Sequence, residues 1–252
     1  MTSILHNQEQ GVLTLTLNRV DKKNALTADM YAALADHLNQ AQAADDVRVV
    51  LLQGHETVFS AGNDIADFLQ QPPANPDSPV SRFLRGIAVF PKPLLASVCG
   101  PAVGVGTTML FHCDLVYAGD NAAFSMPFVN LGLCPEAASS VLAVKLMGYQ
   151  RAAEALLMGE PFMVETALEM GLVSRVLPPA EVNAYAQRQA QKMAAKPLSS
   201  LIETKRLMKQ ASTPAVLSQM DQEAAVFGRM LKEPAAIEAF SAFMEKRKPV
   251  FG

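Results

Sequence analysis

Val12 to Leu17 (VLTLTL) alternates apolar with hydroxyl-bearing positions, the period of two that buries one face of a β-strand. Further on the period changes. Thr27 stands as an N-cap before a run in which Met30, Ala33, Leu34, Leu38 and Ala41 recur at helical spacing, so the pattern predicts a helix ending near Asp45-Asp46. Val47 to Leu52 (VRVVLL) predicts a second strand, followed by a turn at Gly54, the segment Phe59-Ser60-Ala61-Gly62 and a short amphipathic helix to Leu69. Gln70 to Pro79 carries Pro72, Pro73, Pro76 and Pro79, which neither a helix interior nor a central strand accepts, and reads as a loop. A helix over Val80 to Phe90 and a buried strand over Leu94 to Cys99 come next, the strand running into the glycine-rich Gly100 to Gly106. Thr107 to His112 continues as helix, Asp114 to Ala118 as strand, and Phe124 to Leu133 as a short strand plus loop. From Ser139 onward the pattern is helical except for a strand at Gly171 to Leu177, with Pro197, Pro214 and Pro234 dividing the last helices. Strands and helices alternate early, helices dominate late, and no fixed-period repeat is visible. The fold class is α/β, with a helical C-terminal extension.

Composition narrows the function. With 21 Lys+Arg against 24 Asp+Glu in 252 residues, the net charge is -3, which supplies no field for nucleic acid or an anionic membrane. Half the residues are hydrophobic and 18% charged, and the mean hydropathy is +0.16. Such a chain reads as a folded, soluble protein with apolar surface to hide between subunits. No apolar run reaches the ~18 residues of a membrane span, the N-terminus has no signal-like pattern, and Val250-Phe251-Gly252 is not a targeting signal. Cys99, Cys113 and Cys134 form neither a disulfide framework nor a zinc pattern, which fits a reducing, cytoplasmic setting.

Most familiar catalytic signals are missing. Gly104-Val105-Gly106 is followed at position 109 by Met109 instead of the third glycine of a dinucleotide fingerprint. The four histidines, His6, His37, His55 and His112, stand apart from any metal or nucleophile motif, and no metal site is expected. Catalysis must then rest on a carboxylate and backbone donors. Two segments suit that design. Phe59 to Ile65 (FSAGNDI) turns on Gly62 after a strand, and Cys99 to Thr107 (CGPAVGVGT) turns on glycines at the start of a helix, where N–H groups lack partners and the dipole favours negative charge. Converging, they would form an oxyanion hole; apart, they are packing turns.

At these segments the chain resembles a known family. FSAGNDI and CGPAVGVGTTMLFHCDLVYAG, with Asn18-Arg19 and Asn24-Ala25-Leu26 upstream and FSMPFVNLGLCPEAASS downstream, are similar to the crotonase superfamily, the enoyl-CoA hydratase/isomerase family. The resemblance continues through Gly159 to Leu177, Lys196-Pro197 and Phe240 to Phe251, and so spans essentially the whole chain. It implies a crotonase-like ββα spiral core over 1–195 and a helical trimerisation region over 196–252, assembled as a homotrimer or dimer of trimers. It also implies an acyl-CoA thioester substrate, with coenzyme A as part of that substrate and no separate cofactor. By position, the enolate donors are the backbone N–H groups of Asn63 and Val105, each such donor being worth roughly 2.7 to 4 kcal/mol. Ala61, Gly62, Asn63, Asp64, Ile65 and Val105 are the implied substrate-binding set.

The acid/base residues select among the family's reactions. Hydratases of the family carry two glutamates; the matching positions here are Thr108 and Phe128, neither of which acts as a base near neutral pH. A carboxylate stands instead at Glu136, in Leu131-Gly132-Leu133-Cys134-Pro135-Glu136, a context that resembles the peroxisomal-type Δ3,Δ2-enoyl-CoA isomerases. One glutamate suits that chemistry, taking a proton from C2 and returning it to C4, and beta-oxidation of unsaturated acyl chains is the implied role. Without the resemblance, Glu136 reads as an N-terminal carboxylate of a helix over Ala137 to Met147. With it, an apolar setting of Phe128, Leu131 and Leu133 is expected to raise its pKa. Asp64 carries a second reading as a turn or capping residue. Phe83, Phe90, Met109, Met126 and Phe128 are candidates for an acyl tunnel, Gln70 to Pro79 for its cover, and Lys246, Arg247 and Lys248 for contacts to CoA phosphates. Two other functions stay open: another crotonase-type reaction, such as ring or epoxide rearrangement, and a non-catalytic acyl-CoA-binding scaffold.

Overall fold

In the computed structural model, which describes residues 2–71 and 75–252, strand β1 (Ile4–Glu9) pairs antiparallel with β2 (Val12–Leu17), from Ile4 opposite Leu17 to Glu9 opposite Val12. The remaining strands are β3 (Val49–Gln53), β4 (Leu94–Val98), β5 (Pro101–Val103), β6 (Leu115–Gly119), β7 (Ala123–Ser125), β8 (Phe162–Met163) and β9 (Arg175–Leu177). The helices are α1 (Ala28–Ala43), α2 (Ile65–Gln70), α3 (Pro79–Val89), α4 (Val105–Thr108), α5 (Ser139–Met147), α6 (Tyr149–Ala153), α7 (Val164–Glu169), α8 (Pro179–Ala194), α9 (Leu198–Lys209), α10 (Thr213–Met230) and α11 (Pro234–Met244).

One sheet has the order β1-β2-β3-β4-β6-β9, parallel from β2 onward; a smaller one has the order β5-β7-β8. Twice, at β4–β5 and at β6–β7, a strand of the large sheet passes through a tight turn into the small sheet, giving the layered ββα course expected. Leu15, Leu34, Leu38, Phe83 and Ile87 pack one face of the large sheet against α1 and α3. The other face packs Val12, Val49, Leu51 and Leu95 under the alanine stripe of α8, Ala186, Ala190 and Ala194. Helices α9 to α11 form the helical C-terminal region, and their Phe227 and Phe240 pack with Phe68, Phe128 and Leu133.

Several elements differ from the sequence reading. Helix α1 stops at Ala43, short of Asp45, because the buried Lys92 ammonium takes the carbonyls of Ala41, Ala44 and Val47 at 2.7, 2.6 and 2.8 Å. Gly171 to Ser174 is not strand: Gly171 turns at φ +80°, and pairing begins at Arg175. Helix α5 begins at Ser139, not Ala137, since Ala137 and Ala138 both adopt left-handed backbone at φ +57°. The short or exposed strands β1, β5 and β8 carry too little apolar pattern to announce themselves. Pro72 to Ala74 of the proline loop lie outside the described residues. Among the described residues, no helix is long and apolar enough to cross a membrane, and no cluster could hold a metal ion.

Candidate active site

The two glycine turns are clamped together by backbone. Val103 N–H donates to Ser60 O at 2.9 Å, and the N–H groups of Phe59 and Ser60 both donate to Pro101 O. Gly62 is required here: it sits at φ +87°, and a Cβ would lie 2.9 Å from Val103 O. Around Asn63 the neighbouring polar groups are taken, with Gly62 N–H on Ser60 Oγ, Leu26 N–H on Gly62 O and Asp64 N–H on Leu26 O. Asn63 N–H has no acceptor among the described residues. The second turn repeats this economy. Gly104 N–H is bonded to Ser125 O, and Thr107 and Thr108 donate to Gly104 O, while Val105 N–H has no acceptor among the described residues. Asn63 and Val105 line one cavity of about 560 Å³, along with Ala61, Gly62, Asp64 and Ile65. Two N–H groups without acceptors among the described residues, on turns that line one cavity, can hold an anion.

Asn63 also lines a second cavity, of about 340 Å³, which contains Glu136. Phe68 and Phe227 are common to the two, so the cavities adjoin. The apolar wall near Glu136 comes from Phe68, Val80, Leu84, Met220 and Leu231, supplied by α2, α3, α10 and the turn after it. Phe128, Leu131 and Leu133, expected around Glu136, line the larger cavity instead, because Gly132 turns the chain at φ +66° against the start of α11. The expected rise in pKa is nonetheless present. Loss of water pushes the Glu136 carboxyl up to about 7; a hydrogen bond from Thr108 pulls down, and the Glu223 carboxylate pushes up. Thr108 Oγ1 donates to Glu136 Oε1, leaving Oε2 without a partner among the described residues. A carboxyl of this kind can both take and return a proton near pH 7.

Glu136 does not cap α5. That task falls to Glu223 of α10, whose Oε2 accepts from Ala138 N–H at 2.6 Å and whose Oε1 accepts from Ser140 N–H at 3.1 Å and from the Ser140 hydroxyl. The Glu136 carbonyl is held by Ser139 N–H and Oγ at 3.0 and 2.6 Å, and the Ala137 carbonyl by His112 Nε2 at 2.8 Å. Burial drives the His112 pKa down to about 4, so the ring is neutral and its Nε2–H donates. Left-handed backbone costs a non-glycine residue of order 1–3 kcal/mol, and this set of bonds holds two such residues next to each other.

Other sequence-derived candidates fall on both sides of the cavity walls. Asp64 reaches the larger cavity, but its carboxylate is committed to Arg19 at 2.7 Å and to Asp67 N–H, a capping role that, together with the Arg19 contact, holds its pKa below the usual range against desolvation. Phe83, Phe90, Met109 and Met126 are core residues and line neither cavity. Asn75 and Pro76 of the proline loop do line the Glu136 cavity. Arg247 is bonded to Glu238 and Glu245 of its own C-terminal segment, whereas the cations on the larger cavity are Lys22 and Lys23. Sequence reasoning missed these two lysines, although Lys22-Lys23 next to Asn24-Ala25-Leu26 was an available signal. It also missed Tyr31, buried in α1, whose hydroxyl donates to Asn63 Oδ1 and faces the Glu136 cavity.

The chain is similar to known proteins over essentially its whole length. The model describing enoyl-CoA hydratase/isomerase matches residues 7–252. The chain is 35% identical to 1,2-epoxyphenylacetyl-CoA isomerase of Escherichia coli (strain K12), over 100% of this chain and 98% of that one. It is 34% identical to enoyl-CoA delta isomerase 2 of Rattus norvegicus, over 98% of this chain but only 64% of that protein's length. A solved enoyl-CoA hydratase/isomerase of Pseudoalteromonas atlantica T6c superposes with a TM-score of 0.95 at 39% identity, with both chains covered completely.

Proposed function

The chain belongs to the enoyl-CoA hydratase/isomerase family, the crotonase superfamily, and from that premise we propose that this acyl-CoA enzyme is a Δ3,Δ2-enoyl-CoA isomerase with Glu136 as its one acid/base. The observation that carries the reading is the buried Glu136 carboxyl, its pKa raised to about 7 and its Oε2 without a partner among the described residues, opening onto a largely apolar cavity whose wall includes Asn63. In this reading Glu136 Oε2 takes a proton from C2 of a 3-enoyl-CoA. The C3=C4 double bond shifts toward C2, the dienolate charge gathers on the thioester oxygen, and the N–H groups of Asn63 and Val105 stabilise it. The protonated Glu136 then delivers its proton to C4, which yields the 2-enoyl-CoA. Thr108 and Phe128, at the positions of the two hydratase glutamates, supply no base to activate water.

Lys22 and Lys23 support seating the CoA anion along the larger cavity, and the walls of the smaller one support an apolar acyl group. The proposal extends to assembly as a homotrimer or dimer of trimers, supported by the exposed Leu157, Met158, Leu207 and Met208 and checked by light scattering. In the test of the chemistry, Glu136→Gln lowers turnover of a 3-enoyl-CoA by ~100-fold or more and abolishes exchange of the C2 protons in deuterated buffer. Unchanged turnover and exchange in that variant overturn the assignment. A second reading, rearrangement of an aryl epoxide thioester, is supported by the 35% identity over the full length of the E. coli isomerase and by the edge-on pair Phe68 and Phe227 in the cavity wall. Turnover of a 1,2-epoxyphenylacetyl-CoA in preference to a 3-enoyl-CoA decides for it.

A further inference from the structure

We propose that Glu223 is the positioning residue for Glu136, holding the left-handed turn that aims the Glu136 carboxyl into the cavity. The inference rests on Glu136 being the acid/base. Glu136 is followed by two residues, Ala137 and Ala138, in a backbone conformation that alanine does not choose for itself. If that pair relaxed to ordinary helix, α5 would extend backward through Ala137 and Glu136 would become its N-cap, its side chain beside the helix end instead of opposite Thr108. What opposes relaxation is a carboxylate from a different helix, 85 residues further along the chain.

Glu223 is 5% exposed and spends its oxygens on three donors, Ala138 N–H, Ser140 N–H and Ser140 Oγ–H. Gln219, one turn earlier on α10, donates to the same Ser140 Oγ at 3.0 Å and so keeps the hydroxyl proton directed at Glu223. A carboxylate is required by this donor set. A glutamine offers one acceptor oxygen and would turn an N–H against the N–H of Ala138 or Ser140. Glu223 also lines the Glu136 cavity, so its charge faces the same space. The other ionisable groups facing that space are Tyr31 and the Arg85–Asp221 ion pair; neutral His112 lies beneath Ala137, and Cys134 Sγ contacts Glu223 O.

The pinning and the charge predict different observables. Loss of the pin misaims Glu136 and lowers kcat, with little change in KM because no thioester contact is removed. Loss of the charge lowers the Glu136 pKa, since the Glu223 carboxylate is one of the groups that raise it. The acid limb of the kcat profile then moves to lower pH. The experiment compares wild type, Glu223→Gln, Ser140→Ala and Glu136→Gln for kcat, KM, pH profile and C2–H exchange with a 3-enoyl-CoA, alongside thermal melting. We expect Glu223→Gln to lower kcat about 10- to 100-fold at near-constant KM, the scale of a small misplacement of a catalytic group, with the acid limb shifted down. Ser140→Ala, which leaves Glu223 in place with one donor fewer, should lower kcat several-fold with no shift of the limb; it carries the test alone if Glu223→Gln does not fold. Wild-type kcat in either folded variant, or a loss of kcat in Glu223→Gln matched by a comparable rise in KM, overturns the positioning role. Glu136→Gln separates the two failures: if it stays active, the acid/base assignment falls and the positioning role with it, and if it is dead while the other variants behave as wild type, only the positioning role falls.

Discussion

Thr108, which the resemblance matches to one of the hydratase glutamates, donates its hydroxyl to the Glu136 carboxyl. That bond favours the ionised form of Glu136, so Thr108→Val should raise the Glu136 pKa, shift the acid limb of kcat to higher pH and lower turnover at pH 7. A pH–rate profile measures it. The raised pKa of Glu136 also bears on stability. Between about 4.5, its ordinary value, and about 7, the folded protein binds more protons than the unfolded chain, so this residue makes stability fall as pH rises through that window. Glu136→Gln should therefore melt at a higher temperature than wild type above pH 7, with the difference vanishing below about pH 4.5; the gain is at most ~3 kcal/mol at 1.36 kcal/mol per unit. The absence of both hydratase glutamates was legible in the sequence, as was Glu136 itself. The neighbours that tune it were not, because Thr108 and Glu223 come from separate segments and no local pattern announces that they meet.

Among the elements, the strands and helices with clear periodicity formed where the pattern predicted them. Thr27 caps α1 by accepting from Met30 N–H, and β2 and α3 match their runs to within about a residue. The disagreements cluster at turns. The start of α5 moved by two residues because bonds from outside the helix override the helical preference of Ala137 and Ala138. At the first glycine turn the constraint is backbone against backbone. Gly62→Ala would force a side chain to φ +87° and into Val103 O, so we expect a loss of roughly 1–3 kcal/mol in a urea titration. It should also lower kcat, because Asn63 N–H is the next donor along the chain. A variant that denatures earlier with wild-type kcat would show that the turn serves packing alone.

The whole molecule joins these parts through its C-terminal helices. Phe227 of α10 is 8% exposed and lines both cavities, so it is a wall of each and part of the core. Phe227→Ala should cost ~3 kcal/mol of stability and relax selection against bulky acyl groups, read as a smaller spread of kcat/KM across straight and branched substrates. The sequence by itself determined the α/β alternation, the two glycine turns, the lack of a metal or phosphate motif and the single carboxylate near Cys134-Pro135. These are properties of local period, backbone freedom and residue chemistry, which neighbouring residues suffice to express. Only the tertiary structure decided that the turns converge, that the wall around Glu136 comes from α2, α3 and α10, that Lys22 and Lys23 flank the larger cavity, and that Glu223 rather than Glu136 caps α5. Burial, pKa and the direction of a side chain depend on groups brought together across long stretches of chain, and that information exists only once the helices have packed.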